Sequence, residues 1–165
     1  MLSYDVKIQK RKGFAMEFVR LNESNVEEYI EYLEHAFSLE PDMMCAESVD
    51  KDEIRARVKD GFYNNTTSVL AMESGKVIGR IEYHFYGCMQ DGCKMAYVDW
   101  VYVLPEFRHR GVARQLFKEF ESDCKQNGID QYYLIRAENP DADKFYHSFE
   151  KAELSRVPLL RKYLK

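Results

Sequence analysis

The stretch Val98-Asp99-Trp100-Val101-Tyr102-Val103-Leu104-Pro105-Glu106-Phe107-Arg108-His109-Arg110-Gly111-Val112-Ala113 decides the fold. Its first seven residues are apolar, β-branched or aromatic apart from one acid, the composition of a strand in a sheet interior. Pro105 ends the strand, because it cannot donate to a ladder. The pattern Arg108-x-x-Gly111-x-Ala113 then opens an amphipathic helix. Small residues at 111 and 113 let an anion such as a diphosphate approach the backbone, where the first helical N–H groups have no partners. The segment predicts a strand that delivers the chain to an anion-binding helix N-terminus.

Outward from this stretch the chain has the bulk of one domain. Its 165 residues, 45% hydrophobic and 14% aromatic, can bury a sizeable core. No apolar run approaches the roughly 20 residues needed to span a bilayer. Met1 to Gly13 is basic but lacks the apolar centre of a signal peptide, so a cytoplasmic protein is expected, with no membrane partner. A net charge of −4 argues against a nucleic-acid groove. The four cysteines (Cys45, Cys88, Cys93 and Cys124) include no C-x-x-C pair, and the spacing of Cys88 to Cys93 is too loose to argue zinc. Free thiols and no metal are expected.

Residues 1–15 read as a loose extension and 16–165 as the folded domain. Glu17 to Leu21 alternates as a first strand. Asn22 or Ser24 can cap a helix that keeps Val26, Tyr29, Ile30, Leu33 and Phe37 on one face. A second, more polar helix is expected within Lys51 to Phe62. Ser68 to Met72 and Val77 to Tyr86 make a hairpin around Ser74-Gly75. On the second of these strands Arg80, Glu82, His84 and Tyr86 share the polar face. The fourth strand runs from Met95 to Leu104. The next helix buries Leu116, Phe117, Phe120 and Cys124 and ends near Asn127-Gly128. A fifth strand, Tyr132 to Ala137, follows by a right-handed crossover and is parallel to the fourth. Pro140 introduces a further helix, and Glu153 to Leu164 can supply one or two closing strands. The fold class is α/β, a mixed and largely antiparallel sheet flanked by about four helices.

The 108–113 pattern after a Val-Tyr-Val-Leu-Pro-Glu strand end resembles the acetyl-CoA-binding motif of the GNAT acetyltransferase superfamily. The resemblance covers most of the chain from Met16 onward. It implies an N-acetyltransferase with acetyl-CoA as co-substrate, and a fourth strand that splays from the fifth to admit the pantetheine arm. Backbone groups of Val101, Tyr102 and Val103 would pair with that arm, and the Val103 N–H would polarise the thioester carbonyl. The turn through Arg108, His109, Arg110, Gly111, Val112, Ala113 and Arg114 would cradle the pyrophosphate, with the arginines adding charge-assisted bonds. The run Asn139-x-x-Ala142-x-x-Phe145-Tyr146 resembles the second family motif. Asn139 would bond the CoA arm or neighbouring backbone, and Tyr146 would protonate the departing thiolate. Packing beside Phe145 and Phe149 is the competing role for Tyr146. The family usually carries Gly-Phe four residues after this tyrosine, where this chain has Glu150-Lys151.

An acceptor amine with a pKa near ~10 is mostly ammonium at neutral pH, so a base is sought. Asp99 ranks first, because burial in an apolar strand would raise its pKa. It also occupies the place of an acid seen in aminoglycoside-type N-acetyltransferases. Glu82 ranks second, acting directly or through water, and Glu138 a distant third. Glu40, Asp42, Glu47, Asp50 and Asp52 crowd the connection between the first two helices: an acidic mouth there would favour a cationic small-molecule amine, and a solvated acidic loop is the competing reading. Direct attack in a ternary complex is expected, since no cysteine sits in a nucleophile motif. A non-catalytic acyl-CoA sensor and an acetyltransferase of protein amines are the alternatives, and homodimerisation is left open.

Overall fold

The structure, a computed structural model, describes residues 16–44 and 47–164. The extension expected over residues 1–15 lies outside the described residues. The chain divides into two compact units, one ending at Leu134 and the other starting at Ile135. The first holds β1 (Met16–Arg20), α1 (Val26–Leu39), α2 (Lys51–Arg57), β2 (Thr66–Glu73), β3 (Lys76–Gly87), β4 (Lys94–Val103), α3 (Val112–Asn127) and β5 (Gln131–Leu134). The second holds α4 (Pro140–Tyr146).

The five strands form one sheet in chain order, β1 to β5. Every neighbouring pair is antiparallel except β4 and β5, which run parallel, as the crossover through α3 requires. The β2–β3 hairpin closes at Ser74-Gly75, both with positive φ (53° and 76°), the pair of conformations a type I′ turn demands.

Opposite faces of the sheet bury different helices. α1 sends Val26, Tyr29, Ile30, Tyr32 and Ala36 against Leu70, Val77 and Tyr102, with Ile54 of α2 completing the cluster. α3 sets Phe120 against Tyr83 and Tyr132, ring centroids 4.7 and 4.9 Å apart. Burying such rings stabilises each contact by about 0.5–1.5 kcal/mol beyond the area removed from water. Gly79 lets the two layers close up. A Cβ there would lie 3.1 Å from both the Tyr102 carbonyl oxygen and Val103 Cγ2, and 3.3 Å from Val112 Cγ1. The first turn of α3 therefore lies directly against the β3–β4 ladder.

α3 ends as its sequence predicts. Gly128 takes the left-handed conformation (φ 65°), and the Ile129 N–H returns to the Cys124 carbonyl at 2.9 Å, sealing the last turn. The start of α1 differs from expectation. The cap is Asn25, whose side chain accepts from the Asn22 N–H rather than from the helix, while Asn22 accepts from Ser24.

Two further expectations are corrected. The fifth strand stops at Leu134 rather than Ala137, and Ile135 is exposed beyond it. The closing strands expected from Glu153 to Leu164 are absent. Lys151 turns the chain in the left-handed region (φ 60°), which glycine adopts at less cost. Residues 151–164 are exposed and without regular structure, and Pro158 lacks the N–H that a ladder needs. With no face buried, alternation in this tail has nothing to select a register.

Candidate active site

β4 carries the centre of the site, and its pairing is irregular in a specific way. Glu82 of β3 pairs with Trp100, and the adjacent Tyr83 pairs with Val98. Asp99 is thus the surplus residue of a β-bulge, a device that bends a strand and re-aims a side chain. This corrects the burial expected for Asp99. It is exposed, on the wall of a cleft it shares with Trp100 and Glu82. An acid survives in this apolar strand because the bulge takes it out of the alternation.

Beyond the bulge, β4 loses its partner on one side. Pairing with β5 is confined to Met95–Val98 against Gln131–Leu134. The Leu104 N–H donates to the Ile78 carbonyl at 3.0 Å, toward β3. Strand alternation therefore turns the N–H groups of Val101 and Val103 to the side that β5 leaves open. Tyr102 faces the other way: its carbonyl accepts from the Tyr32 hydroxyl at 3.0 Å, and its own hydroxyl donates to Glu40 at 2.7 Å.

A short 3-10 turn, Pro105–Phe107, leads from β4 to α3. His109 and Gly111 both take positive φ (59° and 81°), and Gly111 caps α3 with no side chain bonded to the helix end. A Cβ on Gly111 would meet no protein atom within 4 Å, so the turn faces open space. The backbone N–H groups of Val112, Ala113 and Arg114 begin the helix, and their partial charges add to a 16-residue dipole. This is a fit for a phosphate-bearing group.

The arginines expected around that group divide. Arg108 holds both oxygens of Glu40, one at 3.0 Å through Nη1, and its Nε donates to the Val103 carbonyl at 3.0 Å. The Arg108 guanidinium and then the Tyr102 hydroxyl hold the Glu40 carboxyl below its ordinary 4.5. Arg110 pairs with Glu73 at 2.6 Å and lies over the Phe107 ring. Arg114 is exposed on the first turn of the helix. Glu40 thus serves the strand-to-helix turn rather than an acidic mouth. Its real partner lies 68 residues away, and no local pattern announces it.

The cleft beside Asp99 encloses about 690 Å³ between α1, α2 and the sheet. On its floor Arg80, with a side chain only 12% exposed, donates to Glu82 Oε2 at 2.9 Å. The same oxygen accepts from the Ser68 hydroxyl at 2.5 Å. The Arg80 guanidinium lies 5.4 Å from the Tyr29 ring centroid and 5.9 Å from that of Trp100. Its Nε is buried with no hydrogen-bond partner, a donor that a polar atom in the cleft can satisfy. His84 joins the wall, Nδ1 3.3 Å from Thr66 Oγ1. Its position two residues from Glu82 was the sequence signal for it. The acidic mouth is partly consumed: Asp50 caps α2 through the Glu53 N–H, and Asp52 pairs with Arg55. Asp42 and Glu47 are exposed and do not line the cleft.

In the second unit Asn139 caps α4, its side chain accepting from the Ala142 N–H at 2.9 Å. It bonds neighbouring backbone, one of the two roles expected of it. Tyr146 is half-buried at the end of α4 in a cluster with Phe145 and Phe149, centroids 5.2 and 5.6 Å away. Burial pushes its phenol above the usual value, against a smaller opposing pull from Arg136. Glu138 is exposed just before the cap.

Comparison with known proteins accords with this architecture. The acetyltransferase (GNAT) family model matches residues 23–150. No curated protein sequence matches the chain significantly. Among solved structures, an aminoglycoside acetyltransferase from an uncultured soil metagenomic sample, in complex with sisomicin, superposes with a TM-score of 0.74 at 16% identity, covering 91% of this chain and 97% of that one. An aminoglycoside N-acetyltransferase in complex with CoA gives 0.71 at 21% identity, with 93% and 99% covered. A ribosomal-protein-alanine N-acetyltransferase from Brucella melitensis gives 0.70 at 16%, with 90% and 100% covered. At these identities the likeness is one of fold. No helix among the described residues is long and apolar enough to cross a membrane. The family model spans both the strand-to-helix turn and the Asn139–Tyr146 run, and the chain belongs to the GNAT acetyltransferase family, as an acyltransferase.

Proposed function

We infer that this chain is an N-acetyltransferase that moves an acetyl group from acetyl-CoA to a primary amine of a small molecule, by direct attack in a ternary complex. The observation that carries the reading is the β4 geometry. The strand is open toward β5 from Asp99 onward, and its bulge turns a carboxylate into a 690 Å³ cleft. An open edge suits an extended amide-bearing arm, and a carboxylate in the cleft suits an ammonium.

In this mechanism the α3 N-terminus and the turn through Gly111 hold the pyrophosphate, with Arg108 and Arg110 as fixed positive charges beside it. Arg108 acts there while paired with Glu40, so it positions the turn more than it grips phosphate. The Val101 and Val103 backbone pairs with the pantetheine amides, and the Val103 N–H stabilises charge developing on the thioester oxygen. Asp99 accepts the proton of the incoming ammonium, leaving a lone pair to attack the carbonyl carbon. Glu82, anchored by Arg80 and Ser68, holds the amine or serves as the base in its place. As the tetrahedral intermediate collapses, the C–S bond breaks and the Tyr146 hydroxyl supplies a proton to the sulfur. The second proton shed by the attacking nitrogen restores the tyrosine through solvent, while Asp99 releases its own proton to bulk water. Burial keeps that phenol in its protonated, donating form.

Among the described residues the cleft carries five carboxylates (Asp50, Glu53, Asp60, Glu82, Asp99) against three guanidiniums (Arg20, Arg57, Arg80). This balance favours an acceptor of net positive charge that also offers a hydrogen-bond acceptor to Arg80. Aminoglycoside-like and polyamine-like amines fit that description, and the complexes of structural neighbours with sisomicin and CoA support it. The test is a panel of amines incubated with acetyl-CoA, scored by release of free thiol. Turnover with a cationic small molecule supports the reading. Tight acetyl-CoA binding with no turnover on any amine points instead to an acyl-CoA sensor.

A further inference from the structure

The tip of the β3–β4 hairpin lies away from the cleft and carries chemistry that acyl transfer does not use. β3 and β4 part at the Gly87–Lys94 pair. Beyond it the Cys88 N–H donates to the Cys93 carbonyl and the Gly92 N–H to the Cys88 carbonyl, both at 2.9 Å. The two cysteines therefore stand across from each other at the strand ends. Gly92, with φ 68°, folds the intervening loop so that Asp91 returns toward them. The Cys88 thiol donates to Asp91 Oδ2 at 3.4 Å. One donor atom from each of Cys88, Asp91 and Cys93 lies within 4.8 Å of the other two.

We propose that Cys88, Asp91 and Cys93 form a binding site for a thiophilic divalent cation of the zinc class. In sequence the two cysteines form a C-x4-C pair, at the wide end of zinc-ligand spacing and with no second pair to complete a site. Across a hairpin, spacing along the chain no longer governs distance, and the fold adds a third ligand that the sequence presents only as a turn residue. Zinc-to-sulfur bonds of about 2.3 Å and zinc-to-oxygen bonds of about 2.0 Å place tetrahedral ligands a little under 4 Å apart. The three donor atoms already lie within 4.8 Å of one another, so that spacing is about 1 Å away. Binding exchanges protons for metal: each thiol releases its proton to solvent as its sulfur joins the cation, and the carboxylate joins as it stands. Water completes the fourth position.

Paired sulfur donors select soft cations over magnesium or calcium, which prefer oxygen. Both cysteines are half-buried while Asp91 is exposed, so an ion enters from the carboxylate side with the fold closed. Lys94, next in the chain, donates its N–H to Asp130 Oδ2 at 2.8 Å and accepts from the Asp130 N–H at 2.9 Å. A loaded site would therefore fasten the hairpin tip beside the point where β5 begins to pair with β4.

The probe is Co²⁺, added anaerobically to the reduced full-length chain. The expected result is sulfur-to-cobalt charge-transfer absorption that saturates at one equivalent and is reversed by Zn²⁺. Cys88→Ser with Cys93→Ser should abolish it, and Asp91→Asn should weaken binding at least tenfold. Absence of the charge-transfer band overturns the proposal. So does a band that survives the double substitution, which would assign it to Cys45 or Cys124, or one indifferent to Asp91→Asn. All three positions lie at a hairpin tip outside the core, and circular dichroism of each variant checks that the fold is retained.

Discussion

The two sides of β4 are built in opposite ways. Toward α3, the segment from Val98 to Arg114 offers features suited to acetyl-CoA that consist largely of backbone: an open strand edge, a left-handed glycine, an uncapped helix start. Toward α1 and α2, the cleft is made of side chains from β1, α1, α2, β2, β3 and β4, held by contacts such as Ser68–Glu82–Arg80. A backbone site tolerates many side chains but is sensitive to φ and to chain length. A side-chain site is sensitive to single functional groups and can be retuned one residue at a time. The first suits a donor shared across a family, the second an acceptor that varies.

The largest expected effect tests the side-chain half. Asp99→Asn should keep acetyl-CoA binding yet lower kcat/KM for the amine by about 10²-fold or more. The loss should shrink as pH rises, because more acceptor then arrives already neutral. If Glu82→Gln shows that pH-dependent loss and Asp99→Asn does not, the base belongs on β3. If neither changes the pH profile, the cleft binds the amine without a dedicated base.

Next in size, Tyr146→Phe should lower kcat by about 10²-fold with little change in KM for acetyl-CoA, since the hydroxyl acts on the departing thiolate alone. An unchanged kcat, with chemistry limiting turnover, would leave Tyr146 as a packing residue beside Phe145 and Phe149.

The backbone half is tested by Gly111→Val. A β-branched residue at φ 81° costs at least the ~1–2 kcal/mol of a left-handed L-residue, so acetyl-CoA affinity by calorimetry should fall about tenfold or more. Arg114→Ala, which changes a side chain on the same turn, should have a smaller effect. The reverse order would place the recognition in side chains after all.

The smallest effect concerns Glu40, which ties the end of α1 to Arg108 and Tyr102. Its carboxyl titrates below 4.5, so the stabilisation is present above that pH and is lost as pH falls through the folded-state value. Glu40→Gln should lower stability at pH 7 by about 1 kcal/mol, a figure discounted for partial exposure. Denaturation curves of variant and wild type should converge in acid. A gap that persists at low pH would mean shape, rather than charge, holds Arg108.

The same contrast explains what could be read from the chain directly. The helix that begins at Gly111 and ends at Gly128, the Ser74-Gly75 turn and the parallel β4–β5 pair follow from local rules of φ, capping and crossover. The bulge does not. The sequence marks Asp99 as an odd acid in an apolar strand but implies burial where the structure exposes it, because strict alternation has no place for a surplus residue. The role of Glu40 is hidden for a similar reason, since its partner Arg108 is remote in sequence. Alternation puts Arg80 on a polar strand face but does not show that the Tyr29 and Trp100 rings lie against its guanidinium. The apolar residues of the tail suggest strands, yet Lys151 and Pro158 leave them no ladder to join.

The bulge also has a consequence in chain length. Asp99 has no opposite number on β3, so removing it altogether leaves Tyr83 facing Val98 and Glu82 facing Trp100 as they do now. Deleting a residue further from the bulge, such as Ala96 or Tyr102, instead slides one part of the strand past its neighbour and turns its side chains to the wrong face. A shortened chain lacking only Asp99 should therefore still fold, with a flatter β4 lying closer to the line of β5 and little room between them. Such an enzyme would lose its carboxylate and its opening for the donor together, through an edit that costs the sheet one residue and no pair.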